Sequence, residues 1–419
     1  MNKDRESKPA FDIDLPAGSD FGSYFEASKK TELPAALWRL PGQSTVHFIT
    51  DFSGAACTLK PDLDEMKKGF VMAPFEQEEG GICRHIQASL YLNSETPHPG
   101  LEPTFPNNRQ ESDNFEAYKN ALTHSGHASS PTSKDSKALE PDILPEGESE
   151  HQRFVRLVEE GVEAIKRGEM LKVVPSRIKR TPLPEDFDAT ETFHWLCEAY
   201  PNAFVSYVYL PDEGSFLGAT PELLLSTEGN TFRTVALAGT QPYNDDTPLC
   251  DVLWSQKEIE EQALVSRYII NCFKKIRLRE FQEKGPRTSR AGNLIHLKTE
   301  FLVDMNATNF PQLGTVMLEL LHPTSAVCGM PKEQAMQFIQ SKEQHSRGYF
   351  SGYLGPVNMP SGSNLYVNLR CMRLLNGEAI LYAGAGVTED SQPEKEWQET
   401  EHKTRTLLDV ILKEKGKSE

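Results

Sequence analysis

Apolar positions recur at two spacings along this chain. Early runs such as TVHFITDF (45–52) and ASLYLN (88–93) read as short strands separated by Pro and Gly breaks. In the segment opening at His151, the residues Phe154, Val155, Leu157, Val158, Val162 and Ile165 fall at helical spacing, which predicts a packed amphipathic helix. A meander follows: FVSYVYL, SFLGAT, PELLLST and TFRTVALAGT read as antiparallel strands joined by the turns PDEG and EGN. Further on, LYVNLRCMRLL reads as one strand, turned by Asn376-Gly377 into EAILYAG, because Asn-Gly suits a type I′ hairpin turn. Helices are predicted at about 257–276, 331–341 and 393–413. The expected class is mixed α/β (α+β), with largely antiparallel sheets and flanking helices.

Between 101 and 150 the chain is poor in apolar residues and rich in Ser, Pro and acids, so it reads as a low-complexity loop or linker. It separates an N-terminal part, 1–100, from a motif-bearing region, 151–419. No repeat with a period of about 20–50 residues is found.

Charge and cysteine usage narrow the classes. The 419 residues hold 44 Lys and Arg against 61 Asp and Glu, a formal charge of -17, so a nucleic-acid or anionic-membrane surface is not expected. The seven cysteines are odd in number and form no CxxC pair, which suggests neither a disulfide framework nor a zinc ribbon. The N-terminal residues carry no apolar signal core, and no window nears the ~18 apolar residues that span a bilayer. A soluble protein of the reducing cytoplasm is the expectation.

Some carboxylates fall on apolar faces. Glu261 shares its helix face with Val265, Tyr268 and Cys272, at offsets of 4, 7 and 11, and should point inward. A buried carboxylate needs a cation or donors, so either an internal salt bridge or a ligand is implied. In the last helix Glu396, Glu399 and Lys403 align with Leu407 and Val410. Ser391 to Glu394 resembles a capping box with Pro near the first helical position, which puts both acids in the first turns. An exposed ladder of charges is the alternative for this helix. Three inward acids suit Mg2+, which takes one or two protein carboxylates, keeps waters and adds substrate oxygens. No His or Cys cluster competes for a transition metal.

An anion pocket is also suggested. Arg370 lies in LYVNLRCMRLL, and the partner strand ends in Ala383-Gly384-Ala385-Gly386, where small residues let backbone N–H groups approach a ligand. A guanidinium with exposed amides makes a carboxylate receptor, although a plain strand ion pair and turn glycines fit the same letters. AGAG lacks the spacing of a dinucleotide fingerprint. Gly239-Thr240 in LAGT and the cation of Lys403 extend the pocket to a substrate with two carboxylates. Lys172 in LKVVPSR and Glu222 in ATPELLL sit among apolar residues, where desolvation favours a neutral amine and a protonated acid. Composition alone does not pick these two from the other Lys and Glu.

The segments KVVPSR, FLGATPELL, ALAGT, KEIEEQ, LHPTSAVCGMP, RGYFSGYLGPV, NLYVNLR and YAGAG followed by EWQET occur in one order. This series resembles the chorismate-utilising enzymes: isochorismate, salicylate, anthranilate and aminodeoxychorismate synthases. The resemblance covers roughly 150–415 and implies a single large chorismate-binding fold of two similar halves, with 1–100 as a subdomain and 151–419 as the catalytic region. It implies chorismate as substrate and Mg2+ as cofactor. Lys172 would be the general base that activates water and Glu222 the general acid. Glu261 and Glu399 would hold the metal, with Glu396 acting directly or through water. Arg370 and the amides near Gly384 and Gly386 would bind one carboxylate. Lys403, Gly239 and Thr240 would serve the ring carboxylate, and His322 would lie near the reacting ring.

Within that family, Lys172 stands where the amine-adding enzymes carry Gln, and Ala238 stands where aminodeoxychorismate synthases carry a nucleophilic Lys. LHPTSAVCGMP resembles the isochorismate-forming type more than the salicylate-forming one. An isochorismate synthase is therefore expected, feeding menaquinone rather than siderophore synthesis and needing no glutaminase subunit. A salicylate synthase and a silent chorismate-binding protein are the alternatives, and an unrelated Mg2+ hydrolase ranks behind them. Pro175, Glu258 and Gln262 depart from the family pattern without removing a proposed catalytic group.

Overall fold

The computed structural model describes residues 20–76, 81–95, 109–123, 147–243, 248–291 and 294–413. Among these the helices are α1 (Phe21–Lys30), α2 (Arg109–Thr123), α3 (Glu150–Lys166) and α4 (Ala189–Ala199), followed by α5 (Gln256–Lys275), α6 (Leu313–Leu321), α7 (Lys332–Lys342) and α8 (Pro393–Lys413). Capping boxes start two of them: Ser149 with Gln152 opens α3, and Ser255 with Glu258 opens α5.

The described strands form two large antiparallel sheets and one small pair. The eight-stranded sheet runs from Leu90–Asn93 through Val46–Thr50, Ala35–Arg39 and Phe204–Leu210 to Gly214–Thr220, and ends with Cys371–Leu375, Glu378–Gly384 and Ser176–Pro182. The nine-stranded sheet places Leu223–Glu228 between Thr231–Pro242 and Ser363–Val367, with Tyr353–Val357 and Gly69–Ala73 beyond. Lys172–Val173 pairs with Gly329–Met330, and Val173 also bridges to Val387.

Strand periodicity explains the layering. In Ala35–Arg39, Ala35 and Leu37 face the core beneath α1, α2 and α4, whereas Ala36 and Trp38 face the space between the sheets. That inner layer is filled by Phe70, Phe204, Val208, Val235 and Tyr366. On the far side of the nine-stranded sheet, α3, α5, α6 and α7 bury Val158, Val265, Met317 and Ile339 against Phe232 and Phe301. Both faces of each sheet are thus covered, which is why Phe204–Leu210 is buried at every position.

Two readings of the sequence change here. Within the span expected to be a loop or linker, 109–123 forms α2, which anchors itself through buried Tyr118 and Leu122, with the Tyr118 hydroxyl donating to the Tyr24 carbonyl at 3.2 Å. Phe115 and Ala121 pack beside them, so the apolar stripe 115, 118, 121, 122 is helical in spacing but short and set in polar sequence. Ser391 does not cap α8; its hydroxyl accepts from the Thr388 N–H at 3.1 Å, and Pro393 is the first helical residue. The Asn-Gly hairpin forms as expected, Leu375 pairing with Glu378 and both turn residues taking positive φ, 51° and 77°. Among the described residues, no helix is long and apolar enough to cross a membrane.

Candidate active site

The site lies where the chain leaves one sheet for the other, and it does so twice. Gly214–Thr220 belongs to the eight-stranded sheet and Leu223–Glu228 to the nine-stranded one, so Pro221 and Glu222 form the first crossing. Ser363–Val367 and Cys371–Leu375 are likewise in different sheets, so residues 368–370 form the second. LYVNLRCMRLL is therefore two strands, because Arg370 takes φ +49° and breaks the extended run. Hydrogen bonds sew the crossings together: Thr220 Oγ1 donates to the Val367 carbonyl at 2.7 Å, and the Ala219 N–H to the Arg370 carbonyl at 3.0 Å. Strand ends meet here, so side chains are aimed at a gap instead of at a partner strand.

The gap is a cavity of about 300 Å3. Of the residues expected from sequence, Glu222, Gly239, Glu261 and Arg370 line it, as do Gly384, Gly386, Glu399 and Lys403. Gly239 sits in a bulge, where the register of Thr231–Pro242 against Leu294–Asp304 shifts, and its φ of +70° suits glycine. A Cβ at Gly386 would come within 3.0 Å of Glu261 Oε1 and 3.2 Å of Lys172 Cε, so a side chain there would press on this ion pair.

Lysines hold the carboxylates. Lys172, 1% exposed, reaches Glu261 Oε1 at 2.8 Å. On α8, Lys403 pairs with Glu399 at 2.6 Å and donates to the Gly384 carbonyl at 2.8 Å. Lys257, at the start of α5, pairs with Glu396 at 3.2 Å. The inward Glu261 is thus an internal salt bridge and a cavity wall at once. Glu396 is buried behind the cavity, and among the described residues no group of three His, Cys, Asp or Glu side chains converges on one point.

Electrostatics separate these acids. Burial pushes the Glu222 carboxyl up to about 7, against the pull of Lys172 and Lys403 and helped by repulsion from Glu261. Glu396 is raised by burial, which Lys257 opposes and Glu399 reinforces. Glu399 feels burial too, but Lys403 beside it wins and holds it below the usual carboxylate range. Burial draws Arg370 below its ordinary value, while its Nη1 donates to Thr406 Oγ1 at 2.9 Å.

Lys172 sits behind the lining Glu261 and Gly386, and one expected residue lies elsewhere. His322 ends α6 inside the core; its Nε2 meets the Pro74 carbonyl at 3.1 Å, and its ring packs edge-on against Tyr353, 5.0 Å between centroids. Burial lowers it to about 3, and it does not line the cavity. The side chain of Thr240 lies outside the described residues. The histidine that does line the cavity is His296, whose Nδ1 donates to the Gly239 carbonyl at 3.0 Å and whose pKa burial lowers to about 4. Its place on a strand that alternates toward the seam was a signal, but reading it required knowing which face of that strand meets the bulge. The departures from pattern are satisfied locally: Gln262 donates to Ser266 at 3.0 Å and Thr299 at 2.6 Å, the Glu258 carboxylate caps α5, and the Pro175 carbonyl accepts from the Ala385 N–H.

Such a cavity offers a neutral-to-acidic carboxyl, a buried amine, a guanidinium and two carboxylates to one small anionic ligand. Known proteins share the arrangement's framework. Residues 104–412 match the family described as chorismate binding enzyme. Isochorismate synthase DhbC of Bacillus subtilis (strain 168) is 32% identical over 263 residues, 60% of this chain and 65% of that protein. Anthranilate synthase component 1 of Thermococcus kodakarensis is 29% identical over 271 residues, 62% of this chain and 60% of that protein. The matched stretch therefore spans just under two thirds of these relatives. The solved structure of MenF, the menaquinone-specific isochorismate synthase from Escherichia coli, superposes with a TM-score of 0.72 at 21% identity, covering 94% of this chain and 92% of that one; the likeness is one of fold.

Proposed function

The chain belongs to the chorismate-binding enzymes, and from this membership we propose that the protein is an isochorismate synthase. Overall identity does not separate it from anthranilate synthases, since relatives of both kinds match at 29–32%. The carrying observation is chemical: the cavity is lined by a carboxyl raised to about 7, Glu222, and directly behind its wall the buried Lys172, whose charge acts on Glu222, reaches the lining Glu261.

In this reading Arg370 and Lys403 take the two carboxylates of chorismate. Lys172 receives a proton from water as the oxygen bonds to ring carbon 2. The two ring double bonds shift, the carbon 4 to oxygen bond breaks, and Glu222 delivers the proton that lets hydroxyl depart as water. One water enters and one leaves, so the net change is an isomerisation. His296, kept neutral by burial, faces the same space.

Magnesium fits the donors present. Glu261 and Glu399 offer hard oxygen atoms to the cavity, and two carboxylates leave room for waters and substrate oxygens. Glu396, held by Lys257 behind Glu399, suits a supporting place. The ion would neutralise the ring carboxylate and withdraw electrons from the ring.

The test is incubation of the purified protein with chorismate, with and without Mg2+, resolving isochorismate, salicylate, pyruvate and anthranilate by chromatography. Reversible, Mg2+-dependent isochorismate without pyruvate supports the reading. Matched salicylate and pyruvate would move the protein to the lyase branch, and no conversion would leave a binding role. Of the routes that consume isochorismate, we propose menaquinone synthesis, an order of testing that follows the fold match. A deletion strain that keeps menaquinone and loses catecholates would reverse it.

A further inference from the structure

One motif of the sequence, RGYFSGYLGPV, has no part in the chemistry above, yet its first residue lines the cavity and makes four hydrogen bonds in the wall. Arg347 and Glu343 are both buried, with side chains 1% and 3% exposed. Arg347 Nε donates to Glu343 Oε2 at 2.8 Å, and its Nη2 reaches Oε1. The guanidinium also donates to the Val327 carbonyl at 2.9 Å and the Val174 carbonyl at 2.7 Å, and its face lies 4.2 Å from the ring of Phe75. Glu343, at the end of α7, accepts from the Ser176 N–H at 2.7 Å and the Ser176 hydroxyl at 3.1 Å.

These bonds fall on the segment that carries Lys172. Its strand, Lys172–Val173, is two residues long, and Val173, Val174 and Pro175 add single backbone bonds to Val387, Cys328 and Ala385. Two groups of this link, the Val174 carbonyl and the Ser176 N–H, are held by side chains, and the same guanidinium holds the Val327 carbonyl of the facing wall. Burying an ion pair rarely stabilises more than apolar packing of equal volume, whereas its directed hydrogen bonds define one geometry. We propose that Glu343 and Arg347 are positioning residues that set where the Lys172 amine stands against Glu261 of the cavity wall. The proposal rests on the reading of Lys172 as the base. Arg347 lines the cavity but Glu343 does not, and the carboxylates assigned to metal lie on α5 and α8, so the effect of changing Glu343 should fall on the chemical step alone.

The experiment compares native protein with Glu343→Gln and Glu343→Asp for kcat, KM for chorismate, Mg2+ half-saturation and Tm. A displacement near 1 Å costs on the order of 100-fold in rate, so Glu343→Gln should lose about that much kcat, with KM and Mg2+ half-saturation within about threefold. Glu343→Asp, which keeps a carboxylate for Ser176 and Arg347, should recover most of the loss. Should Glu343→Gln not fold, Arg347→Lys, which keeps the charge but not the fork, is expected to show the same kcat-specific loss. Unchanged kcat in a folded variant, parallel loss of kcat and KM, or Glu343→Asp no better than Glu343→Gln would overturn the proposal. The reference is whatever product native protein forms from chorismate. A product other than isochorismate therefore sinks the functional reading and leaves this comparison standing, while a native protein without turnover overturns both.

Discussion

Two sets of ion pairs meet at the seam, one partly open to solvent and one fully buried, and they are made differently. Those facing the cavity are lysine to carboxylate, each a single ionic contact: Lys172 to Glu261, Lys403 to Glu399, and Lys257 to Glu396 just behind. The pair beside it is arginine to carboxylate, with two bonds between the partners and two more to backbone carbonyls. An ammonium is a compact charge on a flexible stem and changes partner readily; a guanidinium is a planar fork that fixes direction. The cavity thus holds charge that a ligand can re-partner, and the frame around it holds charge that it cannot.

The largest expected effect breaks the cavity side. Lys172→Ala should lower turnover by ~10^2–10^4-fold, the range for loss of a general base, while thermal unfolding shows an intact fold; near-native turnover would remove Lys172 from the mechanism. On the frame side, Arg347→Met leaves Glu343 buried without its partner and should cost about 3–5 kcal/mol in urea unfolding. A change within error there would mean the frame is not rigid after all.

The third test sharpens the cavity's proton chemistry. Burial raises Glu222 to about 7, so the proton-donating form dominates below that pH and is lost as pH rises through it. Turnover should fall by about tenfold per pH unit on the alkaline side, and Glu222→Gln should lack that limb. The same shift has a stability sign: the folded protein holds this proton between 4.5 and about 7 and an unfolded chain does not, so stability declines as pH rises across that window. The smallest effect is on metal. Glu399→Gln should raise the Mg2+ concentration for half-activity by at least about tenfold, and an unchanged titration would exclude Glu399 as a ligand.

Much of this was legible from spacing. The stripe Glu261, Val265, Tyr268, Cys272 told which side of α5 faces inward, and the structure buries Val265 and Cys272 there. The stripe on α8 foretold a buried Glu396 in line with buried Leu407 and Val410. Spacing fails where an element changes sheet. Alternation through LYVNLRCMRLL continues unbroken across residues 368–370, although the chain turns there, because period-2 patterning reports burial and not which layer does the burying. The same blindness separated His322 from His296: both are buried, and only the three-dimensional position of the bulge at Gly239 tells which one meets the cavity. Glu343 and Arg347 were invisible for a third reason, since their partners lie up to 173 residues away.

The order of strands also bears on how the protein is made. Ser176–Pro182 touches the eight-stranded sheet only through Glu378–Gly384, a segment translated about two hundred residues later. At ~5–20 residues per second the ribosome needs roughly 10–40 s to cover that distance. Through that interval the stretch following Lys172 has emerged without its neighbour, a strand awaiting its edge in a crowded cell. Assembly of the cavity is therefore among the last events of biosynthesis, and whatever shields that strand in the meantime guards the enzyme's activity before the enzyme exists.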